Sequence, residues 1–278
     1  MAQETSKASG TEYDVLGSID DGPRSGWEPK YPVQCLIDAA AVLGAFGPRN
    51  TPLSLREISA AVQIGRSKVH RLLDTLRFLG FIDQDEVTRK YYLGMRAFEL
   101  AAAAASRFDL GPAARQALQE LVSATGETVI IGVLRDEEVV FVDNIHGFGP
   151  LRLEMEVGTR CPATCCALGK AILAFEAPER VERILSKPLH ALTPKSITDP
   201  DRLREDLVEI RSRGYAIDDE ESFVGARCIS MPVMGYNRLP VAAIAIEAPI
   251  ARFPLTRAQE LVKPLSDVVR RISPIRNI

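Results

Sequence analysis

The chain has 278 residues, a length that suits two domains and allows a sizeable core. Its 46% apolar and 26% charged content is that of an ordinary globular protein, and no apolar run approaches the roughly 20 residues a membrane span needs. The net charge of −3 argues at first against nucleic acid, but its distribution reverses that: residues 30–107 carry 11 Lys/Arg against 7 Asp/Glu, between two acidic segments. Residues 1–30 are rich in Gly, Ser, Asp and Glu and read as a disordered tail, with Trp27 as a stray aromatic. They lack the pattern of a secretory signal. Five cysteines, an odd number, do not make an extracellular disulfide framework, so a reduced cytoplasm is expected.

In chain order, a first helix is predicted over Pro32–Phe46, with Leu36, Ala39, Ala40, Leu43 and Phe46 on its buried face. Gly47, Pro48, Asn50 and Pro52 break it. Ser54-Leu55-Arg56-Glu57 is a capping box that opens a second helix striped by Leu55, Ile58 and Val62. After a tight turn at Gln63-Ile64-Gly65, a third helix buries Val69, Leu72, Leu73, Leu76 and Leu79, and Gly80 stops it. Its outward positions are Arg66, Ser67, Lys68, His70, Arg71 and Thr75. Two short helices, the second basic and exposed, match a helix-turn-helix whose second helix enters the major groove. Phe81–Asp83 and Tyr91–Leu93 then read as a hairpin wing, with Arg89 and Lys90 at its tip able to grip phosphate. Residues 31–92 are therefore expected to form a winged DNA-binding domain for double-stranded DNA, with Ser54 among its contacts.

Residues 93–109, with five consecutive alanines, are expected to form a linker helix whose small side chains allow a close dimer contact. Residues 110–278 follow as a second domain. A helix from Gly111 to Gly126 precedes a β-hairpin, Thr128–Leu134 and Val139–Val142. Leu151, Leu153, Met155 and Val157 alternate with charged residues as a half-buried strand. Helices are expected at Cys165–Glu176, Pro178–Ser186 and Pro200–Arg213, the last capped by Asp199. Strands are expected at Tyr215–Asp218, Arg227–Val233 and Val241–Glu247, and a final helix at the Thr256–Gln259 capping box. Hairpins, helices, strands and a closing helix give an α+β domain with an antiparallel sheet, flanking helices and a natural pocket between them.

The stretches Ser54-Leu-Arg-Glu-Ile, Ser67-Lys-Val-His-Arg-Leu-Leu, Leu168-Gly-Lys-Ala, Arg213-Gly-Tyr-Ala-Ile-Asp-Asp-Glu-Glu and Gly225-Ala-Arg-Cys, in this order, resemble the IclR family of bacterial transcriptional regulators. The resemblance covers about Val33 to Ile272. It implies a winged helix-turn-helix, a GAF/PAS-like effector domain, and dimers or tetramers on palindromic operators, controlled by a small organic acid or aromatic from a catabolic pathway. It places the effector pocket at Thr164, Cys165, Cys166, Ala167 and Leu168, at Asp218, at Ala226 and Cys228, and at Ala245 and Glu247. Leu151, Leu153 and Met155 are expected to supply apolar walls. Backbone N–H groups at the helix start would hold an anion. The chain departs from the family where Thr164-Cys165-Cys166 replaces His-Ala-Thr/Ser, and where Ala245 and Glu247 replace hydroxyl residues. A glutamate in the pocket repels a carboxylate unless protonated or paired, which favours a larger, hydroxylated aromatic.

Two other readings are open to the residues. Cys161, Cys165, Cys166 and Cys228 could make a thiol- or metal-responsive regulator, although Cys-x3-Cys-Cys is not a standard zinc spacing. An enzyme is disfavoured: Ala167–Ala171 lacks the glycine and hydroxyl residue of a phosphate loop, and no nucleophile-elbow or zinc-protease motif is present. No cofactor or metal is expected.

Overall fold

The structure, a computed structural model, describes residues 30–47, 49–105, 111–149 and 155–273. The expected disordered tail, Leu151 and Leu153 lie outside these residues. The chain divides into two compact units, 1–100 and 101–278.

The first unit contains α1 (Gln34–Gly44), α2 (Leu55–Val62) and α3 (Arg66–Phe78), then β1 (Ile82–Gln84) and β2 (Tyr91–Leu93), which pair antiparallel as a wing. Both halves of the capping box form: the Glu57 N–H donates to Ser54 Oγ at 3.3 Å, and the Ser54 N–H donates to Glu57 Oε2 at 2.7 Å. Val42, Phe46, Ile58, Val69, Leu73, Leu76, Ile82 and Tyr91 form the core. The predicted buried face of α1 is partly right: Phe46, just beyond the helix, is buried and Leu43 packs against the core, but Asp38 and Val42 turn inward while Leu36 is 66% exposed. Leu79 is also exposed, because α3 ends at Phe78 and the chain turns through Gly80. Asn50 ties the wing down, with its side chain accepting the Leu93 N–H at 2.7 Å.

The helix α4 (Met95–Ala105) starts later than expected, since Leu93 belongs to the wing. The second unit is built on one antiparallel six-stranded sheet, ordered β5-β4-β3-β8-β7-β6. Its elements are α5 (Gly111–Thr125), β3 (Thr128–Arg135), β4 (Glu138–Ile145), β5 (Arg160–Pro162), α6 (Ala167–Leu173), α7 (Pro178–Leu185), α8 (Pro200–Arg213), β6 (Ala216–Asp219), β7 (Ala226–Met234), β8 (Pro240–Pro249) and α9 (Leu255–Ile272). The period-two pattern of the strands places Val129, Ile131, Ile229, Ile244 and Ile246 against α5 and α9. Ile130, Cys228, Ala243 and Ala245 face the other way, toward α6, α7 and α8.

Three sequence expectations need correction. Met155–Val157 form no strand; the Asn144 side-chain amide donates to the Met155 carbonyl, replacing a ladder bond, and the chain turns at Gly158. The strand that completes this edge is β5, pairing Glu138 with Pro162 and Val139 with Cys161. Finally, α9 begins at Leu255 behind Pro254 with no side-chain cap, so Thr256 lies inside its first turn instead of capping it.

Candidate nucleic-acid interface and effector pocket

With Val69, Leu73 and Leu76 fixed in the core, helical spacing leaves Arg66, Ser67, Lys68, His70, Arg71 and Thr75 all exposed on α3. They share one basic face. Two are partly committed within the protein: the Thr75 hydroxyl donates to the Arg71 carbonyl at 2.9 Å, and Lys68 forms an ion pair with buried Asp38 of α1. His70 lies 3.4 Å from Asp74, one turn on. At the wing, Asp85 holds the turn by accepting from the Thr88 N–H, which leaves Arg89 exposed and Lys90 half-buried. Asp38 was invisible to the sequence reading, because an acid among Ala and Leu on a short helix looks like a solvated position.

In the second unit the register brings four expected or neighbouring side chains into one row. Thr128 of β3 pairs with Glu247 of β8, Glu247 with Cys228 of β7, and Cys228 with Asp218 of β6. Directly opposite neighbours of this kind have Cβ atoms about 5 Å apart on the same face. The next row runs Ile130, Ala245, Ser230 and Ala216, so small side chains border the row of polar ones. Thr164, Cys165, Cys166, Ala167 and Leu168 lie at the start of α6 and are buried, as are Asp218, Ala226, Cys228, Ala245 and Glu247. Met155 is half-buried and packs against this core.

The electrostatics separate the two acids. Asp218 is satisfied internally, accepting from the Glu221 N–H at 2.7 Å and from the Ser222 hydroxyl; burial nevertheless raises its pKa, against the pull of Ser222. Glu247 Oε2 is buried without a hydrogen-bond partner among the described residues. Burial, with the Asp218 charge adding to it, pushes the Glu247 carboxyl up to about 8. It is therefore un-ionised at neutral pH and presents an O–H as well as an acceptor oxygen.

The start of α6 differs from the expected anion cradle. The helix has seven residues instead of beginning at Cys165, and the Cys166 thiol already accepts the Gly169 N–H at 3.4 Å. Gly169 is required: a Cβ there would sit 2.1 Å from the Ala163 carbonyl oxygen. One turn in, Lys170 is 1% exposed and donates to Glu221 Oε1 at 2.6 Å and Asp206 Oδ2 at 2.9 Å. Burial works against its charge, but the two carboxylates overcome this and raise its pKa. In the sequence this lysine stood within the Leu168-Gly-Lys-Ala stretch and an incomplete phosphate loop, with no sign of its two carboxylate partners.

Three of the buried thiols, Cys161, Cys165 and Cys228, are held toward the un-ionised form. Cys165 donates to the His190 carbonyl at 3.2 Å, and burial pushes it up to about 11. Cys161, next to the Cys166 thiol, and Cys228, by burial, are also raised well above their ordinary values. Raised values oppose thiolate formation. Among the described residues no three His, Cys, Asp or Glu side chains gather as a metal-holding set. An open groove lined by Ala113, Asp267, Arg270 and Arg271 lies by α5 and α9, on the sheet face away from Glu247.

A winged helix-turn-helix followed by an α+β unit with a polar row beneath a buried helix start defines the class of one-chain transcriptional regulators. Residues 39–86 match the family description "IclR helix-turn-helix domain" and residues 102–274 match "Bacterial transcriptional regulator IclR C-terminal". The chain belongs to the IclR family, whose members are transcriptional regulators and not enzymes. It is 32% identical over 242 residues to the HTH-type transcriptional regulator KdgR of Escherichia coli, covering 87% of this chain and 92% of that one. It is 34% identical over 222 residues to BhcR of Paracoccus denitrificans, covering 80% of each. Among solved structures, an IclR homolog from Microbacterium hydrocarbonoxydans complexed with 4-hydroxybenzoate superposes with a TM-score of 0.76 at 25% identity, covering 86% of this chain and 97% of that one. No helix among the described residues is long and apolar enough to cross a membrane.

Proposed function

We propose that this protein is a cytoplasmic, operator-binding regulator of a catabolic operon, controlled by a hydroxylated aromatic effector held in the second unit. Its domains are 31–92 for DNA, 93–109 as connector and 110–278 for the effector. The reading rests on one observation above all: a basic face of α3 is held outward by three buried apolar anchors. Arg66, Ser67, His70 and Arg71 meet base edges or phosphates in the major groove, and Arg89 and Lys90 of the wing meet the backbone. The protein acts as a dimer or tetramer on a palindromic site, the alanine run of α4 bringing protomers together.

The effector assignment is supported by Glu247. An un-ionised carboxyl both donates and accepts, as does a phenol hydroxyl, so the two groups pair without a buried charge. Small residues on the same face, Ala216, Ser230, Ala243 and Ala245, keep the side chains next to Glu247 short. The 4-hydroxybenzoate complex of the Microbacterium neighbour is consistent with this chemistry.

Footprinting across the gene's own promoter, with Arg66→Ala and Arg71→Ala as variants, tests the first part. Each substitution should cost about 1–3 kcal/mol of operator binding while the melting curve stays unchanged. Unchanged operator affinity in both would remove the assignment of α3. Calorimetric titration with 4-hydroxybenzoate and with pyruvate tests the second part, and tight pyruvate binding with no response to the aromatic would refute it.

A further inference from the structure

Lys68 occupies the first turn of α3, where a recognition helix meets DNA most closely. A lysine there, on a flexible stem, would ordinarily reach any nearby phosphate, and phosphate contacts raise affinity for all sequences alike. Here its ammonium is paired with Asp38, which projects from the inward face of α1 beside Val42 and is 5% exposed. The other oxygen of that carboxylate accepts the Gln34 side-chain amide at 3.0 Å. Lys68 is thus the sole ion-pair partner found for Asp38 among the described residues, and withdrawing it would leave a covered carboxylate without a counter-charge. The hydrogen bonds from Lys68 and then Gln34 hold Asp38 below its ordinary pKa, so it stays ionised. Among the described residues no acidic side chain forms an ion pair with Arg66 or Arg71, which lie on the same exposed face.

We propose that Asp38 is a specificity-determining residue: it retains the Lys68 ammonium on the protein, keeping that charge out of the phosphate contacts that do not discriminate sequence. This rests on α3 being the DNA-reading helix. Asp38 acts through Lys68 and touches no base, so it is a positioning residue.

The test is fluorescence anisotropy of the full chain on its promoter duplex and on a random duplex of equal length, across a salt series. For Asp38→Asn, which keeps a partner for Gln34, random-duplex affinity should rise. The slope of log K against log salt should steepen by about 0.9 for each phosphate gained, and the promoter-to-random ratio should fall. The double variant Asp38→Asn with Lys68→Met should return to the wild-type slope, since no lysine is left to release. Lys68→Met alone, usable even if Asp38→Asn folds poorly, should leave the random-duplex slope unchanged. The proposal is overturned if Asp38→Asn leaves the slope and ratio unchanged, if the steepening persists in the double variant, or if Lys68→Met alone flattens the slope by about 0.9. A wild-type chain with no salt-sensitive duplex binding would instead sink the DNA-reading assignment of α3, and this proposal with it.

Discussion

Glu247→Gln should stabilise the second unit, and by an amount that grows with pH. The carboxyl has an ordinary value of 4.5 and is pushed up to about 8 in the fold, first by burial and then by Asp218. An acid with a raised folded value binds its proton more tightly when folded. Stability is therefore full below about pH 4.5 and is lost as pH rises toward 8, because the unfolded chain ionises freely there and the folded one does not. Each pH step in that window costs about 1.4 kcal/mol. At pH 5.5 the penalty is about 1.4 kcal/mol, and at pH 8 it is roughly 4 kcal/mol. Glutamine has nearly the same shape and no titration, so packing differences shift both values equally, whereas the increment between them, about 3 kcal/mol, reports ionisation alone. Thr128, Cys228 and Asp218 face Glu247 along the row, and Asp218 is unchanged in both proteins, so its own titration cancels to first order. Urea unfolding by far-UV circular dichroism at the two pH values, with peptide-resolved hydrogen exchange over β8 to assign the transition, measures the increment. Parallel stabilities of wild type and variant from pH 5.5 to pH 8 would refute the reasoning, since Glu247 would then ionise in place.

Lys170→Met should destabilise the second unit by about 3–5 kcal/mol, because it leaves Glu221 and Asp206 facing each other without their shared cation. Adding Glu221→Gln and Asp206→Asn should recover part of that loss in the same urea assay. Gly169→Ala should lower stability by about 1–3 kcal/mol or more, since the new methyl meets the Ala163 backbone and α6 must shift as a body. Calorimetry should show the melting transition of the second unit falling while that of the first is unmoved.

The winged unit was legible because its determinants are local. The Ser54–Glu57 box, the Gln63–Gly65 turn and the Val69, Leu73, Leu76 stripe each act within a few residues, and each specifies its own element. The errors fell where a tertiary partner decides. On α1, the expected inward positions Leu36 and Ala40 give way to Asp38 and Val42, because Asp38 has Lys68 and Gln34 as partners. At Thr256 a correct capping pattern lost to Pro254, whose extended backbone had already started the helix at Leu255.

The pocket obeys a different logic. That Glu247 should matter was readable from its residue type at an apolar strand position, but its state was not, because a carboxylate's ionisation depends on what lies across the sheet. Only the register Thr128–Glu247–Cys228–Asp218, whose first pair joins residues more than 100 apart in sequence, shows that Asp218 is already occupied by Ser222 and Glu221 while Glu247 Oε2 is not. Two acids in one row, separated by Cys228, thus divide the work. Asp218 closes the turn that presents Glu221 to Lys170, tying the end of β6 to α6 and α8. Glu247, kept neutral by the same burial, has a carboxyl oxygen with no hydrogen-bond partner among the described residues. A ligand that pairs with un-ionised Glu247 binds the protonated form, so its stabilisation of the second unit should hold below about pH 8 and fall as the carboxyl ionises above it.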